Sequence, residues 1–318
     1  MLRVMKDANM TTGIDSKIAA VIVLYLPDET LLERLLNAIK GKVAFIYVVD
    51  NTPESESSYV SESWFLTKNV NVVYQALGDN YGIAKAQNIG VQLAIDNDCD
   101  HVALFDQDSA PSSDMISKLF LEEQVLLAEG FNVGAVGPAY LDEKTGSYSK
   151  VIRFGRLFSR SRDIRSDDVK PILADFLIAS GSLIRVEVFE KIGFMREDLF
   201  IDGVDVEWIL RATHFGYKHF VIPNALMLHS IGESYVHVGN KKIDIHGDIR
   251  NYYKLRNLCY LALNPMMSRQ FRTNMLFKIP LYILVYTLAS KLRFSTLKVL
   301  LRACVDGFRG RLGKAFSA

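Results

Sequence analysis

The sequence predicts an α/β fold: a mainly parallel sheet flanked by helices, followed by a basic, helical C-terminal extension. Three observations predict it. Apolar strand-like runs alternate with segments of helical period through the first half of the chain. Acidic and polar residues gather where those runs end. From Gly247 onward the pattern is helical to the end.

The first run, Lys17 to Tyr25, is almost continuously apolar and β-branched, as expected of a strand covered on both faces. Pro27 and Asp28 open a helix over 29–40, with Leu31, Leu32, Leu35, Leu36 and Ile39 on one side. After Gly41 come a second strand over 44–50 and a third over 71–75, then a glycine-containing loop and a helix over 83–95. The fourth strand, 101–105, runs into Asp106-Gln107-Asp108-Ser109. Strands are further expected over 133–140, 171–185 and 218–222, the last stopped by Pro223. The charged, Ser-rich stretch 141–170 reads as a mobile loop, and 205–215 as a short helix closed by Gly216. The expected organisation is a tail (1–16), an α/β domain (17–240) and a C-terminal helical region (241–318).

Composition narrows the function. With 318 residues, 49% of them apolar, the chain can build a substantial core. The 37 basic and 36 acidic residues nearly cancel, so no nucleic-acid partner is expected. Cys99, Cys259 and Cys304 are scattered and form no CxxC pair; they fit reduced thiols in a cytosolic protein, not zinc or disulfides. The polar stretch 1–16 has no apolar core of a secretory signal, so cytosolic substrates are expected.

In open α/β sheets ligands sit beyond the C-terminal ends of the strands. Those ends carry Tyr25 and Asp28, Asp50 and Asn51, the loop Gly78–Gly82, and Asp106 and Asp108. In extended backbone, residues two apart point to one side, so Asp106 and Asp108 can converge on one hard cation, Mg²⁺ or Mn²⁺, shared with substrate phosphates. The alternative is a turn and helix cap. The Gly78–Gly82 loop precedes a helix holding Ala84, Ala86 and Asn88. It is either a site for a phosphate or hydroxyl at a helix N-terminus or an ordinary βα turn. It lacks the Lys-Ser/Thr of a P-loop and the spacing of a dinucleotide fingerprint. Asp50 and Asn51 suit a base or ribose, or a turn.

The densest acidic-aromatic cluster runs from Phe200 through Asp202, Asp205, Glu207 and Trp208. A carboxylate such as Asp205 beside an acceptor can take a hydroxyl proton, and Trp208 offers a platform for a sugar ring. Acids complementing a helix dipole are the plainer reading. A lone His229 after an apolar run is more often structural than a metal ligand.

These pieces, in this order and spacing, resemble the family 2 glycosyltransferases of the GT-A fold, and within them bacterial rhamnosyltransferases of O-antigen and related polysaccharide assembly. The resemblance spans about Ile18 to Gly232. It rests on Val23-Leu24-Tyr25 with Pro27, Val49-Asp50-Asn51, Asn80 to Ala84 with Asn88 and Gly90, Asp106 to Ser109, Ser180-Gly181, Asp202 to Trp208 with Arg211, and His229. It implies an inverting transferase with a nucleotide-activated donor, dTDP-L-rhamnose favoured, and a glycan or lipid-linked glycan acceptor. It places Tyr25, Pro27, Asp50, Asn51, Asn80, Gly82, Ala84, Asn88, Asp106 and Gln107 at the donor, and Asp106, Asp108 and His229 at the metal. Asp205 becomes the general base with Glu207 beside it, and Ser180, Gly181, Asp202, Trp208 and Arg211 face the acceptor. Val204 stands where the commonest family pattern has Glu, a departure that the rhamnosyltransferase-like members share.

Beyond that span, 279–290 is apolar but shorter than the roughly 20 residues of a membrane span. Lys291, Arg293, Lys298, Arg302, Arg309, Arg311 and Lys314 then interleave with Leu297, Val299, Leu300, Leu301 and Val305. That composition suits either a helix lying in an anionic leaflet or one packed on the domain or on a second subunit of a homo-oligomer. The competing readings are a transferase of the same family with a UDP-sugar donor and, from other classes, a non-catalytic carbohydrate or nucleotide binder and a nucleotidyltransferase. Intact acids disfavour the binder. The acidic Tyr25–Glu29 segment disfavours the nucleotidyltransferase, which carries a Gly- and basic-rich loop there.

Overall fold

A computed structural model describes residues 16–56, 60–142, 146–155, 159–228, 247–290 and 293–315, and the backbone alone of 229, 235–238 and 241–244. The tail read over 1–15 lies outside the described residues.

β1 (Ile18–Leu24) is buried at every position. Its side chains alternate: Ala19 and Val21 enter one core, Ala20 and Ile22 the other. This is the two-residue period of a strand sandwiched between helices. Asp28 caps α1 (Glu29–Ile39) by accepting from the Thr30 and Leu31 N–H groups. β2 (Phe45–Pro53), α2 (Glu62–Thr67), β3 (Val73–Gly78), α3 (Ile83–Asp96) and β4 (His101–Asp106) complete the parallel half. β1 pairs in parallel with both β2 and β4, and β2 with β3. The chain thus winds outward from β1 to β3 and then returns to β1's other side with β4. That reversal opens a crevice between the ends of β1 and β4.

The second half is mixed. β5 (Ala110–Pro111), α4 (Met115–Ala128) and β6 (Val133–Asp142) lead to a hairpin of β7 (Val151–Phe154) and β8 (Ser159–Arg162). The stretch expected to be a mobile loop therefore carries structure of its own. The strand expected over 171–185 is two, β9 (Ile172–Ala174) and β10 (Leu183–Arg185), separated by the turn that holds Ser180 and Gly181. α5 (Val186–Ile192), a 3-10 turn at Glu197–Leu199, and α6 (Val204–His214) follow. β11 (Lys218–His229) does not end at Pro223. A break in register between Ile222 and Leu226 absorbs the proline, which has no N–H for the ladder. The main sheet reads β3-β2-β1-β4-β10-β6-β11-β5, with β9 on β11.

A ribbon of β12 (Tyr235–Val238) and β13 (Lys241–Asp244) precedes α7 (Asp248–Leu263), α8 (Arg269–Ala289) and α9 (Phe294–Phe308). These helices build a third core that also takes in Phe200 and Leu210. α7 and α9 meet closely at Gly307, where a Cβ would stand 2.2 Å from the Arg256 carbonyl oxygen. The sheet domain and the C-terminal helices therefore share the loop that leads into α6.

Candidate active site

The crevice floor is built from side chains that bind one another. The Tyr25 N–H donates to Gln107 Oε1 at 2.7 Å, and Gln107 Nε2 donates back to the Tyr25 carbonyl at 3.1 Å. Gln107 thus clasps the ends of β1 and β4 and aims its two flanking aspartates. Leu26, at φ +47°, turns the chain away with its N–H on Thr52 Oγ1, leaving Tyr25 and Pro27 at the rim.

At the end of β2, buried Asp50 accepts from the Thr52 N–H at 2.9 Å and the Tyr74 hydroxyl at 2.8 Å. Buried Asn51 donates to Asn80 Oδ1 at 2.9 Å and accepts from the Tyr81 N–H at 2.8 Å. Asn80 Oδ1 also accepts from the Gly82 N–H at 3.0 Å. The loop Gly78–Gly82 is therefore pinned to β2. Gly82 has φ +87°, and a Cβ there would stand 2.5 Å from the Phe200 carbonyl oxygen. Only glycine fits. The Ile83 N–H donates to that same carbonyl at 2.9 Å.

Three carboxylates meet above this floor. The Ala179–Gly181 turn is the bridge between them. The Asp106 N–H donates to Ser180 Oγ at 3.1 Å, and Ser180 Oγ lies 2.6 Å from Ser109 Oγ. The neighbouring Ala179 N–H bonds the Asp205 carboxylate, which also accepts from the Val206 N–H at 2.8 Å. Burial first, then the charges of Asp108 and Asp205, push Asp106 up to about 7 against the pull of Arg250. Burial pushes Asp205 up to about 6; Asp202 adds to the rise, and the Val206 and Ala179 N–H groups oppose it. Asp108 is exposed at the mouth.

Among the described residues, no three His, Cys, Asp or Glu side chains stand close enough to hold an ion by themselves. Two carboxylates with a surplus of negative charge nonetheless fit a divalent cation that completes its shell on phosphate oxygens. The backbone of His229 follows Leu228, which pairs with Ala110 beside the Asp106–Ser109 turn. The His229 side chain lies outside the described residues.

The loop into α6 is strained and clamped. Phe200 and Asp202 have φ +66° and +62°, conformations that side chains other than glycine rarely adopt. The buried Asn257 amide of α7 donates to the carbonyls of Leu199, Ile201 and Asp202 at 2.9, 2.8 and 2.7 Å. Arg256, fully buried beside it, donates to the Leu199 carbonyl at 2.9 Å. The C-terminal end closes on the same region: Arg256 Nη1 donates to the Gly313 carbonyl, and Lys314 pairs with Asp79 at 3.0 Å.

Besides Asp50, Asn51, Ser180 and Gly181, which are buried as well, five residues expected to touch ligand are turned into the protein. Trp208 is fully buried, packs on Phe189 and donates its indole N–H to the Gly193 carbonyl, so it is no sugar platform. Glu207 is buried in an ion pair with Arg211 at 2.9 Å, and Arg211 also donates to the Ile192 and Phe194 carbonyls. Helix geometry explains Glu207 and Arg211, which stand two and six positions past Asp205 and so come round to the core side; Trp208 is drawn inward by Phe189 and the Gly193 carbonyl. Ala84 is fully buried, and both ends of the Asn88 amide serve Met195, with Glu197 sharing its N–H. Sequence reasoning missed Arg250, whose Nε lies 3.4 Å from Asp202 and whose charge reaches Asp106. It missed Tyr140 as well, which donates to the Ser180 carbonyl beneath the acids. Neither stands in a motif; only the fold brings them here.

Comparison with known proteins gives consistent findings. The description "Glycosyl transferase family 2" matches residues 20–193. A dTDP-rhamnosyl transferase, RfbF of Shigella flexneri, is 30% identical over 304 residues, covering 94% of this chain and 98% of that protein. Among solved structures, TarS of S. aureus in complex with UDP-GlcNAc aligns with TM-score 0.56 at 13% identity, over 92% of this chain and 80% of that one. GalNAc-T7 with UDP, GalNAc and Mn²⁺ aligns with TM-score 0.55 at 16% identity, over 87% of this chain and 58% of that longer one. At such identities these two structures speak for the fold.

Proposed function

The chain belongs to glycosyl transferase family 2, and from that premise we propose that it moves L-rhamnose from a dTDP-activated donor onto a glycan carried by a lipid, in cell-surface polysaccharide synthesis. The rhamnose reading is supported by the end-to-end match to the Shigella flexneri enzyme. The observation that carries the chemistry is the meeting of Asp106, Asp108 and Asp205 across the Ala179–Gly181 bridge.

In this reading the nucleotide lies over β1 and β2, between Tyr25, Asp50, Asn51 and the Gly78–Gly82 loop. Asp106 and Asp108 hold a divalent cation, Mg²⁺ or Mn²⁺, with His229 as a further ligand. When bound, the cation supplies charge neutralisation to the leaving diphosphate. Arg250 adds a second positive charge on the same side. Asp205 takes the proton of the acceptor hydroxyl as its oxygen attacks the anomeric carbon. The bond from that carbon to the phosphate oxygen breaks on the opposite face, and dTDP leaves with the electron pair. One displacement inverts the centre and needs no carboxylate nucleophile. The Ala179 and Val206 N–H groups orient Asp205, and the desolvated site keeps its basicity high enough for the task. No helix among the described residues is long and apolar enough to cross a membrane. In this reading a lipid-linked acceptor is met by peripheral contact at the cytoplasmic surface of the membrane.

Calorimetry with dTDP and UDP, with and without Mn²⁺, tests the donor site on wild type and Asp108→Ala. Metal-dependent dTDP binding that the substitution abolishes is expected. Tighter UDP binding refutes the rhamnose donor, and no nucleotide binding by the folded protein refutes the whole assignment. Asp205→Asn is expected to bind donor normally and to lose about a hundredfold or more in turnover; near-normal turnover removes Asp205 as the base.

A further inference from the structure

We propose that α8 and α9 form a docking face for an anionic phospholipid bilayer, with α9 lying in the headgroup layer. On α9, Phe294, Leu301, Val305 and Phe308 follow one another at helical spacing, and each is between 44% and 68% exposed. Lys298, Arg302 and Arg309 flank that stripe and are exposed as well. The opposite side of the helix is not free for lipid: Thr296, Leu300, Ala303 and Gly307 are buried, the last against α7. α8 leaves a second uncharged stripe in solvent, with Leu276, Phe277, Leu284 and Leu288 each about half exposed or more. Scattered apolar residues need no explanation, but two consecutive helices that each leave a stripe of large apolar side chains in solvent mark an interaction surface.

The charge decides what covers it. Residues 293–315 carry six basic side chains and one acid. That acid, Asp306, is buried, accepts from the Tyr252 hydroxyl at 2.8 Å and lies 3.5 and 3.6 Å from Arg302 and Arg311, so the segment keeps a surplus of positive charge. An apolar stripe with a cationic rim matches an anionic leaflet. A two-fold contact between copies of this chain would set each rim against its own like charges.

The face is also joined to the site. At its start, Thr296 Oγ1 lies 3.1 Å from both Asp248 oxygens, two residues from Arg250. At its end, the chain runs on to Lys314 and the donor loop at Asp79. A bilayer beneath α9 therefore presents a lipid-borne glycan at the mouth of the crevice. The purpose of the face rests on the lipid-linked acceptor proposed above; its composition does not.

Co-sedimentation of the full-length chain with phosphatidylethanolamine vesicles, with and without phosphatidylglycerol, tests the proposal. Binding is expected only when phosphatidylglycerol is present, and it is expected to weaken with salt. Lys298→Gln with Arg309→Gln should weaken partition about fivefold per charge removed. Leu301→Gln with Phe308→Gln should abolish it while dTDP binding in solution stays as in wild type, which separates failure of the face from failure of the transferase. Equal binding to both vesicles, or wild-type partition by the Leu301→Gln, Phe308→Gln double variant, overturns the proposal. So does a concentration-dependent dimer that the same double variant breaks, in a chain that ignores vesicles.

Discussion

Leu in place of Glu207 keeps the side-chain volume roughly constant and removes both oxygens that Arg211 uses. The guanidinium stays buried, with Nε and one of its two Nη2 contacts left without the carboxylate. It retains the Ile192 and Phe194 carbonyls, which bond it but do not neutralise it. Breaking a buried pair from one side costs about 3–5 kcal/mol. The two surviving carbonyls put this case near the lower end, about 3 kcal/mol. Urea unfolding followed by tryptophan fluorescence measures it, since Trp208 sits one residue away in the same core. Arg211→Leu should cost a similar amount, and the Leu/Leu double variant should recover much of the loss, because it leaves no unpaired charge. Turnover per folded molecule should fall only a few-fold in all three. A Glu207→Leu protein of wild-type stability that has lost about a hundredfold or more in turnover would overturn this structural role and return Glu207 to the chemistry.

Gly82→Ala should raise the donor KM and lower kcat together, because its Cβ meets the Phe200 carbonyl at 2.5 Å as well as straining φ. Gly130→Ala, with φ +85° and nothing within 4 Å, supplies the control and should cost only about 1 kcal/mol of stability; equal effects would refute the close fit. Asp106 and Asp205 are raised to about 7 and about 6, so the metal-free fold loses their contribution as pH rises from about 4 through 7. Thermal unfolding across that window should show a falling midpoint that Asp106→Asn flattens, while turnover rises through about pH 6 as Asp205 ionises; a midpoint that climbs over the window contradicts the cluster. Arg250→Gln should weaken dTDP binding about tenfold or more, a charge-assisted bond being worth about 1.5–3 kcal/mol, with only a small loss of stability from its exposed pair with Asp202. Unaltered dTDP affinity would remove Arg250 from the donor.

The central sheet was legible because β1 and β4 are written almost wholly in apolar residues, and the polar residues that follow mark their ends. The same local rule pointed to Asp106, Gln107 and Asp108 at the end of β4, although Gln107 and Asp108 stand in the turn beyond the strand and distant Tyr25 and Ser180 hold the group in place. Trp208, Glu207 and Arg211 could not be read that way. An acid and an aromatic near a helix start look alike whether they face a ligand or the core, and the partners that decide, Phe189, Gly193 and Ile192, come from α5 and the turn after it. Asn257 and Arg256 carry the opposite lesson. Nothing local in the sequence singles them out, yet they hold the strained carbonyls at 199–202. β11 passing Pro223 turned on a register break that only its pairing with β6 makes visible.

The seat of Gly82 against Phe200 makes two loops into one joint. The donor loop cannot shift without carrying the Phe200 carbonyl, which it touches through both the missing Cβ of Gly82 and the N–H of Ile83. Phe200 in turn stacks on Tyr253, and its chain continues through Asp202 into Asp205. A nucleotide held on the first loop, as proposed above, would therefore also set the posture of Asp205, the proposed base. Thermodynamic linkage makes this a two-way account: by whatever factor the donor tightens the acceptor, the acceptor tightens the donor. The coupling between the two sites is then a property of one glycine that has no room to be anything else.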